Sequence, residues 1–183
     1  MCVRSHRSLS WPGALCNKSN LDSRQVNIPP SMDHIKMNFP VFSRLITLGI
    51  WDNPPPGYGY HDERRSLVYV GASIVIICFG IDNPYSLARV KEVWEPEVRD
   101  FTRDTMPAII LVGCKMDVRT DPVELEWMRR HGVTEAISVQ EGREMAKSIG
   151  AAIYLECSAK TGEGVDEVFH HAARLSLQAK AIS

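Results

Sequence analysis

From about His34 onward the chain alternates short apolar runs with amphipathic stretches, and before that point it does neither. Residues 1–32 are rich in Ser, Asn, Arg and Pro and hold no sustained period of 2 or of 3.6, so they are expected to be irregular or disordered. Leu45 to Trp51 reads as a strand ending at Asp52, and Asn53-Pro54-Pro55-Pro56-Gly57-Tyr58-Gly59 reads as loop. Ser73 to Phe79 is a continuous apolar run, the pattern of a parallel strand covered on both faces. Asn83-Pro84 opens a helix, with Asn as N-cap and Pro in the first turn, and Leu87, Val90 and Trp94 share one face. Pro96 is expected to kink or break that helix. Ala108 to Gly113 is a second buried strand, and 121–131 a short polar helix. Ser138 and Glu141 form a capping box for a further helix, which Gly150 is placed to end. Ala152 to Cys157 is a third apolar strand, and a last helix starts near Gly164 with Val165, Val168, Phe169, Ala172 and Leu175 on one face. Strands alternating with helices predict an α/β fold with a mainly parallel sheet flanked by helices. No internal repeat is present.

Composition narrows the function classes. A chain of 183 residues is long enough for one domain with a full core. The formal net charge of -1 gives no basic surface for nucleic acid, and the short runs Arg64-Arg65 and Arg129-Arg130-His131 read as solvated faces. Five cysteines occur without a C-x-x-C pair, and Cys78, Cys114 and Cys157 sit in apolar runs, so buried reduced thiols in a cytoplasmic protein are expected. No apolar run reaches the length of a membrane span, and Arg4 and Arg7 are not followed by the apolar stretch of a signal peptide. His170-His171 are adjacent on a helix and point about 100° apart, which suits a surface pair better than two ligands of one metal.

In open α/β sheets ligands bind beyond the carboxyl ends of the strands. Those ends carry Asp52, then Cys114-Lys115-Met116-Asp117, then Ser158-Ala159-Lys160. One such residue is common turn chemistry, but the combination is specific. A carboxylate accepts from both the ring N–H and the exocyclic amine of guanine, a Lys stem lies across the purine face, and a backbone N–H donates to the guanine carbonyl. Together these distinguish guanine from adenine.

The residues carry a resemblance that covers roughly 45–178. Glu156-Cys157-Ser158-Ala159-Lys160-Thr161-Gly162 resembles the Ser-Ala-Lys motif of small GTPases. Val112-Gly113-Cys114-Lys115-Met116-Asp117 resembles their Gly-Asn-Lys-x-Asp motif, and Leu48-Gly49-Ile50-Trp51-Asp52 the strand before Asp-x-x-Gly. Trp94-Glu95-Pro96-Glu97-Val98 and an extra helical segment at about 121–137 are similar to the Rho subfamily, and Ile28-Pro29-Pro30-Ser31-Met32-Asp33 to its first switch. The resemblance implies a small-GTPase fold over 33–179, with GTP/GDP and Mg2+ as cofactors. It assigns guanine recognition to Cys114, Lys115, Asp117, Ser158, Ala159 and Lys160, an indirect magnesium role to Asp52, and effectors or regulators of Rho signalling as partners of a monomeric, cytoplasmic protein.

The chain also departs from that pattern. No Gly-x-x-x-x-Gly-Lys-Ser/Thr occurs, and Ser10-Trp11-Pro12 aligns where Gly-Lys-Ser/Thr belongs. Backbone N–H groups of that loop cradle the phosphates and its Lys reaches the terminal ones. Losing three or four such bonds at about 1.5–3 kcal/mol each costs roughly 5–10 kcal/mol, or about four to seven decades of affinity. Pro30 stands at the magnesium-ligating switch position, and Pro55 and Pro56 replace the Gly-Gln of Asp-x-x-Gly-Gln, so no catalytic residue is assigned. Cys114 replaces the base-motif Asn, and a thiol is a poor hydrogen-bonding substitute. The first strand is expected to be lacking, leaving a gap or exposed edge in the sheet. Ala179-Lys180-Ala181-Ile182-Ser183 holds no Cys-a-a-X, so no lipid anchor is expected there. Three readings follow: a Rho-like guanine-nucleotide binder with hydrolysis lost or impaired, a nucleotide-independent interaction module, or a truncated product of a true Rho GTPase.

Overall fold

The computed structural model describes residues 2–6, 34–41, 44–51 and 68–181. The expected irregular segment beyond residue 6, the first-switch echo at 28–33, Asp52 and the proline-rich loop at 53–59 lie outside the described residues. The chain divides into two compact units, residues 1–75, 98–108 and 169–183 in the first, and 76–97 and 109–168 in the second.

The first unit holds strands β1 (Cys2–His6), β2 (His34–Val41), β3 (Arg44–Trp51) and the start of β4 (Ile74–Gly80). Their order is β2-β3-β1-β4. β2 and β3 form an antiparallel pair in which Asn38 faces Thr47, and the buried Thr47 Oγ1 donates to Asn38 Oδ1 at 2.6 Å. A strand over 34–41 is not among the elements read from sequence, because Pro40 and the polar Lys36 and Asn38 dilute its apolar pattern.

The central position is the main correction. The gap expected from the lacking first strand is filled by β1, which runs antiparallel to both β3 and β4, with Cys2 opposite Trp51 and Val75. Residues 2–6 are therefore strand rather than irregular. Two flanking strands each present a row of backbone donors and acceptors that must be satisfied, and a short extended segment meets that demand whatever its side-chain period. The pairings of β1 and β2 in this unit are antiparallel.

The second unit carries the rest of β4, then α1 (Pro84–Arg89), a π-helical turn at Val90–Trp94, the start of α2 (Glu95–Phe101), β5 (Ala108–Cys114), a 3-10 turn at Met116–Arg119, α3 (Pro122–Arg130), α4 (Val139–Ser148) and β6 (Ile153–Cys157). α5 (Val165–Ala181) begins here and continues into the first unit. β5 and β6 are parallel and in register, Cys114 opposite Cys157, as expected. The core includes Ile76, Ile77, Ile81, Ile110, Leu111, Val112 and Met128, all buried.

Local chemistry sets these boundaries. Asn83 caps α1 by accepting from Ser86 N, with Pro84 at the first position. Ser138 and Glu141 form the capping box, and Gly150, at φ 66°, follows the end of α4. Pro96 neither breaks nor ends its helix: the chain widens to a π turn just before it, with Glu95 N bonding to Val90 O. A wider turn accommodates a residue that lacks an N–H and crowds the preceding carbonyls. In β4 the apolar run hides one exception, since Cys78 is exposed rather than buried. A run without alternation carries no information about which face a residue takes.

Gly164 precedes α5 at φ +73°, and a Cβ there would lie 2.2 Å from the Glu156 carbonyl oxygen. Gly164→Ala combines left-handed strain with a backbone clash, so it should cost about 2–4 kcal/mol. A fall in the urea midpoint with unchanged slope checks this.

Candidate nucleotide site

The base-reading residues of the sequence converge in the second unit. β5 ends at Cys114 and the chain turns through Lys115, which takes φ 63° and ψ 41°. A left-handed non-glycine residue is held there by its surroundings, and the Lys115 ammonium is held by Asp82 Oδ2 at 2.7 Å. The turn delivers Asp117 into the following 3-10 turn, where its Oδ1 is buried without a hydrogen-bond partner. Asp82 Oδ1 is likewise buried and without one. A buried carboxylate oxygen lacking donors is costly, and each of these leaves a demand for an N–H group.

The second loop follows β6. Ser158 is fully buried and acts within the loop: its N donates to Glu163 O, its carbonyl accepts from Gly162 N, and its Oγ accepts from Thr161 N at 3.1 Å. Ser158 thus shapes the turn rather than presenting its hydroxyl. Ala159 is exposed, and among the described residues its N–H donates to nothing. Lys160 reaches Asp121 Oδ2 at 2.6 Å, and Asp121 also caps α3 by accepting from Val123 N and Glu124 N. These bonds hold the Asp121 carboxyl below its usual range, chiefly through Lys160, and raise the Lys160 ammonium chiefly through Asp121.

The two loops are fastened together by a group that sequence reasoning passed over. Arg119 ends the 3-10 turn. Its Nη1 and Nη2 bond Glu156 Oε2 and Oε1 at 2.5 and 2.8 Å, while Nε and Nη2 donate to Ile137 O at 3.1 and 2.6 Å. Tyr154 Oη donates to Glu156 Oε1 at 2.6 Å. The Tyr154 ring lies so close to α4 that a Cβ on Gly142 would meet its Cζ at 2.1 Å. Burial pushes the Glu156 carboxyl up, but hydrogen bonds from Arg119 and Tyr154 and the Arg119 charge override it, and the net shift is downward. Burial, then the bond to Glu156, pushes the Tyr154 phenol up. No local sequence signal announces Arg119, whose partners lie 18 and 37 residues away. Asp82, by contrast, sits just beyond β4, where the rule of strand carboxyl ends would have found it.

Cys114 lies half-buried at the end of β5. The neighbouring thiols of Cys157 and Cys78 push Cys114 up, and that of Cys114 pushes Cys157 down. The structure therefore brings together the turn with Lys115 and Asp117 and the loop with Ser158, Ala159 and Lys160, with Cys114 and Cys157 as register partners just before them. Asp52 lies outside the described residues.

Comparison with known proteins places the chain in a family. The sequence pattern of the Ras family matches residues 23–178. The chain is 42% identical over 156 residues to the GTP-binding protein RHO1 of Candida albicans, covering 85% of this chain and 76% of that protein. It is 42% identical over 157 residues to RHO1 of Saccharomyces cerevisiae, covering 86% and 73%. Against rho5 of Schizosaccharomyces pombe it is 41% identical over 153 residues, covering 84% and 74%.

Two predictions test the fastening. Arg119→Ala should lower stability by about 2 kcal/mol by leaving a half-buried carboxylate without its fork, and Arg119→Lys should restore only part of this, because one ammonium cannot reproduce the bidentate bonds. Urea unfolding of both variants measures it. The pH dependence has a definite sign. Glu156 titrates lower when folded, so its contribution is present above its ordinary value of 4.5 and is lost as pH falls through the folded value. Glu156→Gln should flatten that acid limb in Tm-versus-pH scans.

Proposed function

Because this chain belongs to the Rho family of Ras-type small GTPases, we propose that it reads guanine with the half-site described above while holding the phosphates weakly, so that GTP hydrolysis is impaired or lost. Members of the family bind GTP or GDP with magnesium and interact with regulators and effectors. The observation that carries the reading is the buried, donor-lacking Asp117 Oδ1. Guanine offers a ring N–H and an exocyclic amine to a carboxylate, whereas adenine offers an acceptor at the ring position. The exposed Ala159 N–H beyond β6 suits the guanine carbonyl, and the Lys115 stem suits the purine face. On the phosphate side, Ser10-Trp11-Pro12, Pro30, Pro55 and Pro56 remove the ammonium and several backbone donors that would stabilise phosphate charge. Asp52 is the carboxylate that would stand behind magnesium, and its expected partner at position 30 is Pro.

One observation favours a second reading, a nucleotide-independent interaction module. Both lysines of the base motifs are already occupied by the protein's own carboxylates, Lys115 by Asp82 and Lys160 by Asp121. The loops are thus held without nucleotide, and the Asp121 pair anchors the first turn of α3, within the Rho-type insert at about 121–137. In that reading the family's regulators or effectors bind indifferently to added nucleotide.

Titration with fluorescent GDP and GTP, and with ATP as control, separates the two. Saturable guanine-specific binding is expected, and its absence up to millimolar nucleotide would sink the first reading. Asp117→Ala removes two charge-assisted bonds at about 1.5–3 kcal/mol each and should weaken guanine binding by about two to four decades. Phosphate release from GTP should stay at the uncatalysed level.

A further inference from the structure

Three adjacent strands of the second unit each carry a cysteine: Cys78 on β4, Cys114 on β5 and Cys157 on β6. The sequence reading expects inert buried thiols, but Cys78 is exposed and Cys114 and Cys157 are half-buried. Cys114 and Cys157 are register partners in a parallel pair. Neighbouring strands lie about 4.8 Å apart and register partners project to the same face, and a disulfide spans about 4.4–6.8 Å between Cα atoms. The thiols of Cys157 and Cys78 both act on the Cys114 thiol, pushing it up. Among the described residues no group of three or more His, Cys, Asp or Glu is arranged to hold a metal ion.

We propose that Cys114 and Cys157 are a peroxide-reactive dithiol that closes to a disulfide bridging the two base-reading loops. With Cys157 as the attacking thiol Cys114 is the resolving one, and the balance is the same with the two exchanged. The Cys157 thiolate attacks one oxygen of hydrogen peroxide; the S–O bond forms, the O–O bond breaks, and the departing hydroxide takes a proton to leave as water. Cys114 then attacks the sulfenic sulfur as it loses its proton; the S–S bond forms, the S–O bond breaks, and a second water leaves. Two thiols are oxidised by two electrons and one peroxide is reduced. A half-buried pair is reachable by so small an oxidant, and an accessible bridge remains open to exchange with external thiols.

The bridge would act where the base is read. Cys114 immediately precedes Lys115, and Cys157 immediately precedes Ser158. Drawing the two Cβ atoms to the roughly 3.8 Å of a disulfide shifts both strand ends, and with them the loops that hold Asp117 and the Ala159 N–H. This consequence rests on the guanine-binding reading, whereas formation of the bridge does not.

The test uses the full chain, reduced, exposed to hydrogen peroxide, capped with an alkylating agent and mapped as unreduced peptides. A Cys114–Cys157 peptide is expected, reversed by dithiothreitol, persisting in Cys78→Ser and abolished in Cys157→Ser. No cross-linked peptide in the wild-type chain, a dominant bridge through Cys2, Cys16 or Cys78, or over-oxidation that dithiothreitol does not reverse would each overturn the dithiol. Fluorescent GDP should bind the oxidised chain at least about fivefold more weakly than the reduced chain, and Cys157→Ser should lose that sensitivity. Equal affinity in both states would overturn the consequence for nucleotide. If neither state binds guanine nucleotide, the proposed function fails, and the peptide map still decides the dithiol.

Discussion

The second unit turns on one guanidinium. Arg119 grips Glu156 with two bonds and the Ile137 carbonyl with two more, so the turn that carries Asp117, the segment that leads into α4 and the strand that leads into Ser158 are tied at a single point. A planar fork suits this task because its donors are fixed relative to one another, and satisfying a carboxylate and a carbonyl at once leaves little rotational freedom. Tyr154 completes the acceptor side at Glu156 and rests on the surface left bare by Gly142. The placement of both loops is therefore inherited from this one charge pair.

Around that fixed point the site is polarised. Its lysines are neutralised by Asp82 and Asp121, yet Asp117 and Asp82 each retain an oxygen without a donor. Such oxygens call for N–H groups, which a guanine edge supplies and a phosphate does not. Under the proposed function, base recognition and phosphate binding are separable: the first would depend on a compact set of residues fastened by Arg119, and the second on loop positions that here carry prolines in place of donors.

Cys114 shows how one substitution can change what a position offers. At that position the family pattern has a side-chain amide, able to hydrogen-bond across loops. A thiol cannot make that amide bond, and Cys114 stands instead as the register partner of Cys157, both half-buried just before the two loops.

Much of the second unit was legible in the sequence because its signals are local. Asn83 and Ser138 cap bonds three residues away, Gly150 takes a conformation other residues avoid, and continuous apolar runs mark β4 and β5. The motif residues Lys115, Asp117 and Ser158 to Lys160 could be named for the same reason, since their chemistry is written in consecutive positions. What only the tertiary structure decided are matters of distant pairing. The slot between β3 and β4 accepts Cys2–His6 because two unsatisfied backbone edges demand a partner. Pro96 is absorbed by a π turn instead of ending its helix. Lys115 finds Asp82 at a separation of 33 residues, Lys160 finds Asp121 at 39, and Arg119 finds Glu156 at 37. A sequence states which groups can donate and accept; only the fold, by bringing remote ones within bonding distance and burying them, chooses which of them meet.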